Sequence, residues 1–509
     1  MKSGIIAAVF IASLGLGSVG FAQENGTTQY DDGSVYTGQF LDGLRHGEGS
    51  YKTADGFEYA GAWVAGKIEG RGVAKYPNGS VYEGLFVDGK PHGQGKITFA
   101  DSSTYEGTWV EGVINGTGRA EYANGSIYEG SFKNADHHGQ GKLTTLTGFI
   151  YDGAWEEGAQ TGFANVTYAS DGDYAGTLVN GKREGQGKLK RADGQIYDGE
   201  WKADQMHGIG TFWSANGNIY EGQFVEDKRT GPAKVTYANG DIYEGDLIDG
   251  LREGSGTLTQ TDGLIVASTW VADLAEGDGQ VTYPDGSTYV GQLVASKPQG
   301  TGKLTYANDA GSYEGQWVEG RIEGTGTSIF DDGTTYVGAF KNGTNHGQGK
   351  ITFADGSSYE GGWRNGLRQG EGKELQADGS SYMGGYLDGR PHGDGVLTLA
   401  SGFIYDGEWA EGAITGEGQA TYQSGDIYIG AFLNGRPDGL GKMTYEDGQS
   451  FYGFWEAGVP KEALLEPEEA AAENTEADAE LVTDALAGEA EANESEAGAA
   501  EDNSTETAN

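Results

Sequence analysis

Apolar and polar positions alternate with a period of two through short runs, and the runs themselves recur every 23 residues. In residues 82–87, Tyr82, Gly84 and Phe86 share one parity while Glu83, Leu85 and Val87 share the other. A strand sends those two sets to opposite faces. After Asp88-Gly89, a turn pair, Gly93, Gly95 and Phe99 again share one parity. The anchor Tyr-x-Gly returns at Tyr105/Gly107, Tyr128/Gly130, Tyr151/Gly153 and Tyr405/Gly407, and nineteen such starts run from Tyr36 to Phe451. A fixed period of this length is the signature of a repeat array. The pattern predicts an all-β fold: an elongated single-layer antiparallel meander of about 18–19 β-hairpins of 23 residues each.

A hairpin centred on Asp88-Gly89 places Phe86 opposite Gly93 and Gly84 opposite Gly95. Each ring then has a neighbour without a side chain and room to lie flat across it. On the other face the same register sets Glu83 against Lys96, Glu106 against Arg119, Glu129 against Lys142 and Glu360 against Lys373. Four opposite-charge pairs from one assumption support it, although each exposed pair contributes only about 0–1 kcal/mol. Connectors such as Asn78-Gly79, Asn124-Gly125 and Asp193-Gly194 carry the dipeptides of tight hairpin turns.

The ring that follows Tyr-x-Gly alternates, as in Phe86, Trp109, Phe132 and Trp155, and again in Trp363, Tyr386 and Trp409. Such alternation predicts one interlocked aromatic spine, interrupted at Leu178, Leu247 and Leu293. Val266-Ala267-Ser268 replaces the anchor in one unit, where a break or bend is expected, and an extra residue near Asn308-Asp309-Ala310 resets the phase.

Both ends depart from the repeat. Residues 1–22 hold Lys2, an apolar run and small residues before Gln23, the pattern of a secretory signal peptide. Residues 23–29 read as a lead-in, 30–459 as the array, and the last unit as lacking its second strand. From 460 to 509 the chain is acidic and of low complexity, with sixteen carboxylates from Glu462 to Glu506 and almost no aromatics, which predicts disorder. With no Cys, disulfides play no part, and stability must come from packing between neighbouring hairpins.

The pattern Tyr-x-Gly-x-(Phe/Trp)-x-x-Gly followed by Gly-x-Gly, across residues 30–459, resembles the MORN (membrane occupation and recognition nexus) repeat family. The resemblance implies a curved one-layer array of β-hairpins of the kind that forms scaffolds, self-associates and binds partner proteins. Lipid-headgroup binding is the other property it implies. The lipid kinase and methyltransferase domains that accompany such repeats elsewhere have no room here.

Little in the chain points to chemistry. His46, His92, His138, His207, His346 and His392 hold one repeat position, and successive members are at least two hairpins apart. Four strands span about 19 Å, far beyond a shared metal ion. The carboxylates fit turns, cross-strand pairs or the tail, so neither a catalytic residue, a metal site nor a cofactor is expected. A net charge of −44 repels nucleic acid and anionic membranes at long range. The expectation is an exported, non-enzymatic scaffold, periplasmic or extracellular, that binds protein partners or itself. The alternative is a cell-envelope binder of glycans or lipid headgroups, using Trp and Tyr rows or the lysine row through Lys96 and Lys142.

Overall fold

The computed structural model describes residues 24–464; the expected signal peptide, and all of the expected disordered tail beyond 464, lie outside that range. Within it the chain is all-β, apart from one turn of 3-10 helix at Ala307–Asp309, where the extra residue falls. Contacts divide it into two units, with the boundary along the chain between Pro284 and Asp285. The first holds 23 strands, from Glu24–Gln29 to Leu274–Thr282, and the second 16, from Thr288–Val294 to Val459–Ala463.

Each unit is an antiparallel meander whose element is the hairpin. In the pair Val81–Val87 and Lys90–Thr98, Asp88 and Gly89 both take positive φ, +50° and +78°, and Val87 faces Lys90 across them. That is the two-residue turn whose twist matches a hairpin. The Asn-Gly connectors are built differently from the tight turns expected. Gly79 N donates to the Tyr76 carbonyl at 2.9 Å, Ser80 N donates to Asn78 Oδ1 at 3.0 Å, and only Gly79 is left-handed. The Asn side chain caps the loop from within.

The register carries a second correction. Glu83 faces Lys96 and Gly84 faces Gly95, but Leu85 faces His92 and Phe86 faces Pro91. Gly93 and Gln94 form a two-residue bulge, and Gly93 supports it with a φ of +65° that side chains rarely adopt. Phe86 therefore lies opposite Gly70 of the preceding hairpin, and Gly93 lies opposite Trp109 of the next. The glycine opposite each ring belongs to a neighbouring hairpin, and a Cβ on it would point to the other face, toward Ala62 from Gly70 and toward Leu85 from Gly93.

Three further expectations are corrected. The residues read as a lead-in form a strand, Glu24–Gln29, paired with Val35–Leu41. The last unit does have a second strand, Val459–Ala463, so regular structure runs past 459. At Val266 the backbone ladder continues unbroken, with Val266 facing Leu258 on one side and Val281 on the other. What the Val266 unit lacks is the buried anchor tyrosine, not the strand; its Trp270 remains buried.

Candidate interaction surface

The anchors gather on one face and are buried. Tyr82, Tyr105, Tyr151 and Tyr405 are essentially inaccessible, and Phe86, Trp109, Trp155 and Trp409 are nearly so. Tyr82, Tyr105 and Tyr405 each meet two rings edge-on, and Tyr151 one. Tyr82 lies 5.0 Å from Phe86 in its own hairpin and 5.1 Å from Trp109 in the next, with planes at 86° and 80°. Tyr105 repeats this with Trp109 and Phe132, and Tyr151 and Tyr405 pack against Trp155 and Trp409. Edge-to-face pairs of this kind add about 0.5–1.5 kcal/mol each beyond area burial.

The Tyr ring lies over the glycine pair of its hairpin: a Cβ on Gly84 or Gly95 would overlap the Tyr82 phenol, and one on Gly107 the Tyr105 phenol. The Tyr82 hydroxyl donates to the Leu85 carbonyl at 2.9 Å, where the bulge begins. Burial pushes the Tyr82 phenol up to about 12. Trp109 Nε1 donates to the Gly95 carbonyl of the preceding hairpin at 3.2 Å, and Trp155 does the same to Gly141 at 3.1 Å. Phe cannot make this bond, so the Trp hairpins carry an extra link.

On the opposite face the charged residues stand in the register expected, Glu106 facing Arg119, Glu129 facing Lys142 and Glu360 facing Lys373. The bridges run to the other neighbour. Lys96 pairs with Glu106 at 3.7 Å, Arg119 with Glu129 at 3.2 Å and Lys350 with Glu360 at 3.0 Å. Lys96 and Arg119 sit between two carboxylates, Lys350 between Val337 and Glu360, and all three reach the acid of the following hairpin. The bridges thus link hairpins instead of closing them.

Several features left no mark in the sequence reading. Arg45 lies 4.3 Å above the Trp63 ring and 4.8 Å above Tyr51, and its Nη2 donates to the Gly66 carbonyl at 3.0 Å. Arg183 and Arg252 repeat the arrangement over Trp201 and Trp270 at 4.1 and 4.2 Å, bridging to Asp204 and Asp273. The fixed spacing of eighteen residues between Arg and Trp was the available signal. His137 is also enclosed: it stacks on Tyr128 at 3.6 Å, and its Nε2 lies 2.6 Å from the Tyr122 hydroxyl. Burial pushes its imidazole below the ordinary histidine value, against a smaller upward pull from Asp136. Among the described residues no group of three or more His, Asp or Glu side chains is placed to hold a metal.

Exposed apolar residues concentrate at the hairpin tips. Val110 faces Val113, Ile248 faces Leu251 and Val271 faces Leu274 across their turns, each 41–57% exposed. The last two pairs belong to consecutive hairpins, which sets four aliphatic side chains side by side in water.

The MORN repeat family model matches seventeen segments within residues 36–145 and 174–450. Comparison with curated proteins found no match. Among solved structures, the chain is similar to the TCP domain of SAS-4 (dCPAP) of Drosophila melanogaster, solved in complex with a proline-rich motif of Ana2 (dSTIL). That pair shares 17% identity over 34% of this chain and 85% of that one, at a TM-score of 0.21. The TCP10 domain of Danio rerio CPAP matches at 12% identity over 44% and 96%, with a TM-score of 0.19. Virginiamycin B lyase from Staphylococcus aureus matches at 11% over 62% and 93%, with a TM-score of 0.11.

Proposed function

The chain belongs to the MORN repeat family, and on that premise we propose that it is an exported, non-enzymatic scaffold that binds protein partners or itself through its repeats. The observation that carries the reading is the aliphatic cluster at the hairpin tips, Ile248, Leu251, Val271 and Leu274. Contiguous exposed apolar side chains cost solvation, and in soluble proteins they mark interaction sites. Charged residues flank such tips elsewhere, as Lys90 does opposite Val87, so the aliphatic pairs depart from an otherwise wettable rim.

The glycan-binding alternative needs accessible rings to stack on a sugar. The Tyr rings are packed over glycines, and the Tyr and Trp rows are buried against one another, which favours the protein-binding reading. In this reading the sequence of residues 1–22 directs the chain out of the cytoplasm, to the periplasm or beyond.

The test is a pull-down from envelope extracts with the full chain, alongside light scattering of the purified protein. The expected result is one enriched protein partner or a defined oligomer, lost when Ile248, Leu251, Val271 and Leu274 are replaced by Ser. A monomer that enriches only glycan or lipid overturns the reading.

A further inference from the structure

One cavity of the first unit, of about 450 Å³, is lined by Tyr76, Pro91, Phe99, Trp109 and Gly112. Its walls repeat, two hairpins later, the cage that Arg45 fills. A shift of 46 residues carries Tyr30 onto Tyr76, Arg45 onto Pro91, Trp63 onto Trp109 and Gly66 onto Gly112. In the filled cage the guanidinium lies within 6 Å of the Tyr30 and Trp63 rings and donates to the Gly66 carbonyl. In the Pro91 cavity the Tyr76 and Trp109 walls and the matching Gly112 backbone remain, while Ile97 takes the place of the Tyr51 ring and Pro91 the place of the cation.

A second observation concerns charge. Among the described residues, five arginines at this repeat position lie over rings: Arg45, Arg183 and Arg252 are followed by Ala65, Ala203 and Ala272 at the first turn position of the next hairpin, and Arg229 and Arg368 by Asp249 and Asp388. At the Pro91 cavity that position is Glu111, exposed and next to Gly112. A carboxylate thus stands at the mouth of the Pro91 cage, which has no cation of its own.

We propose that the Pro91 cavity takes an arginine side chain from a basic protein partner, held as Arg45 is held in its own cage. This rests on the protein-binding reading and names the chemistry of one contact within it. A planar guanidinium fits because it can stack on a ring while its N–H groups reach the Gly112 carbonyl and the Glu111 carboxylate. A quaternary ammonium headgroup has no N–H to give that carbonyl.

The test uses the full chain and a fluorescein-labelled octa-arginine peptide, with binding read by anisotropy at about 0.15 M ionic strength. Pro91→Arg with Glu111→Ala rebuilds the filled cage and is expected to weaken binding about three- to tenfold. Gln140→Arg with Glu156→Ala makes the same change of charge on exposed residues and should weaken it less than about twofold. Should the Pro91→Arg protein fail to fold, Glu111→Ala compared with Glu156→Ala reads the same contact, with about a two- to threefold loss expected for Glu111 alone. Equal losses at the two places, or no binding of the peptide, overturn the arginine cage. Neither outcome touches the scaffold reading, which stands or falls with the pull-down.

Discussion

The phenol of Tyr82 covers Gly95, leaving no space for a Cβ on that glycine. The relationship recurs along the array, with Tyr105 over Gly118 and Tyr405 over Gly418. It makes the glycine as much a part of the core as the ring. Gly95→Val is expected to destabilise its hairpin by about 1–3 kcal/mol through overpacking. Gly95→Ala should cost less, because Ala164 and Ala233 are accommodated at the equivalent position. Hydrogen exchange of the amides in 81–98 is the measurement, since a repeat array need not unfold in one step.

Trp109→Phe keeps an edge-to-face ring in the spine but removes the bond to the Gly95 carbonyl. The loss should be about 0.5–1.5 kcal/mol. Phe86→Tyr, at a ring position without that bond, serves as a control in the same exchange experiment.

Arg183 combines stacking over Trp201, the bridge to Asp204 and a bond to the Asp204 carbonyl, with its side chain 17% exposed. Arg183→Ala should cost about 1–3 kcal/mol, and Lys should recover only part, because an ammonium cannot stack and fork at once. Lys96→Ala removes only a bridge between exposed partners and should change stability by less than about 1 kcal/mol. Urea midpoints of the three variants, compared with the parent chain, separate these outcomes.

His137 gives the array a pH dependence of definite sign. Its folded pKa lies below the unfolded value, so folding favours the neutral ring. The stability it contributes is fully present above the unfolded value of about 6.5 and is lost as the pH falls below that value toward the folded pKa. Protonation would also place a charge against Tyr128 and Trp155, 3.6 and 4.7 Å away. Melting temperatures at pH 7.5 and 5.0 should diverge less in His137→Gln than in the parent. An unchanged difference would refute the assignment.

The sequence by itself determined the class of fold, the repeat length and the face of every strand residue. Those follow from parity and period, which a strand converts directly into direction. Tyr82, Gly84 and Phe86 could be placed on one side, and Glu83 opposite Lys96, without a coordinate. The aliphatic tips and the Arg–Trp cages were harder to see, because each depends on which hairpins become neighbours.

Only the tertiary structure decided where the register slips. The bulge at Gly93 and Gln94 inserts two residues, and two is the side-chain period of a strand. Every side chain therefore stays on its face, and the hydrophobic pattern carries no trace of the shift. The same slip moves Phe86 from Gly93 to Pro91 and gives Gly93 to Trp109. The choice of bridge, Lys96 to Glu106 and not to Glu83, was equally hidden: both carboxylates face the lysine, and only the side-chain geometry chooses between them.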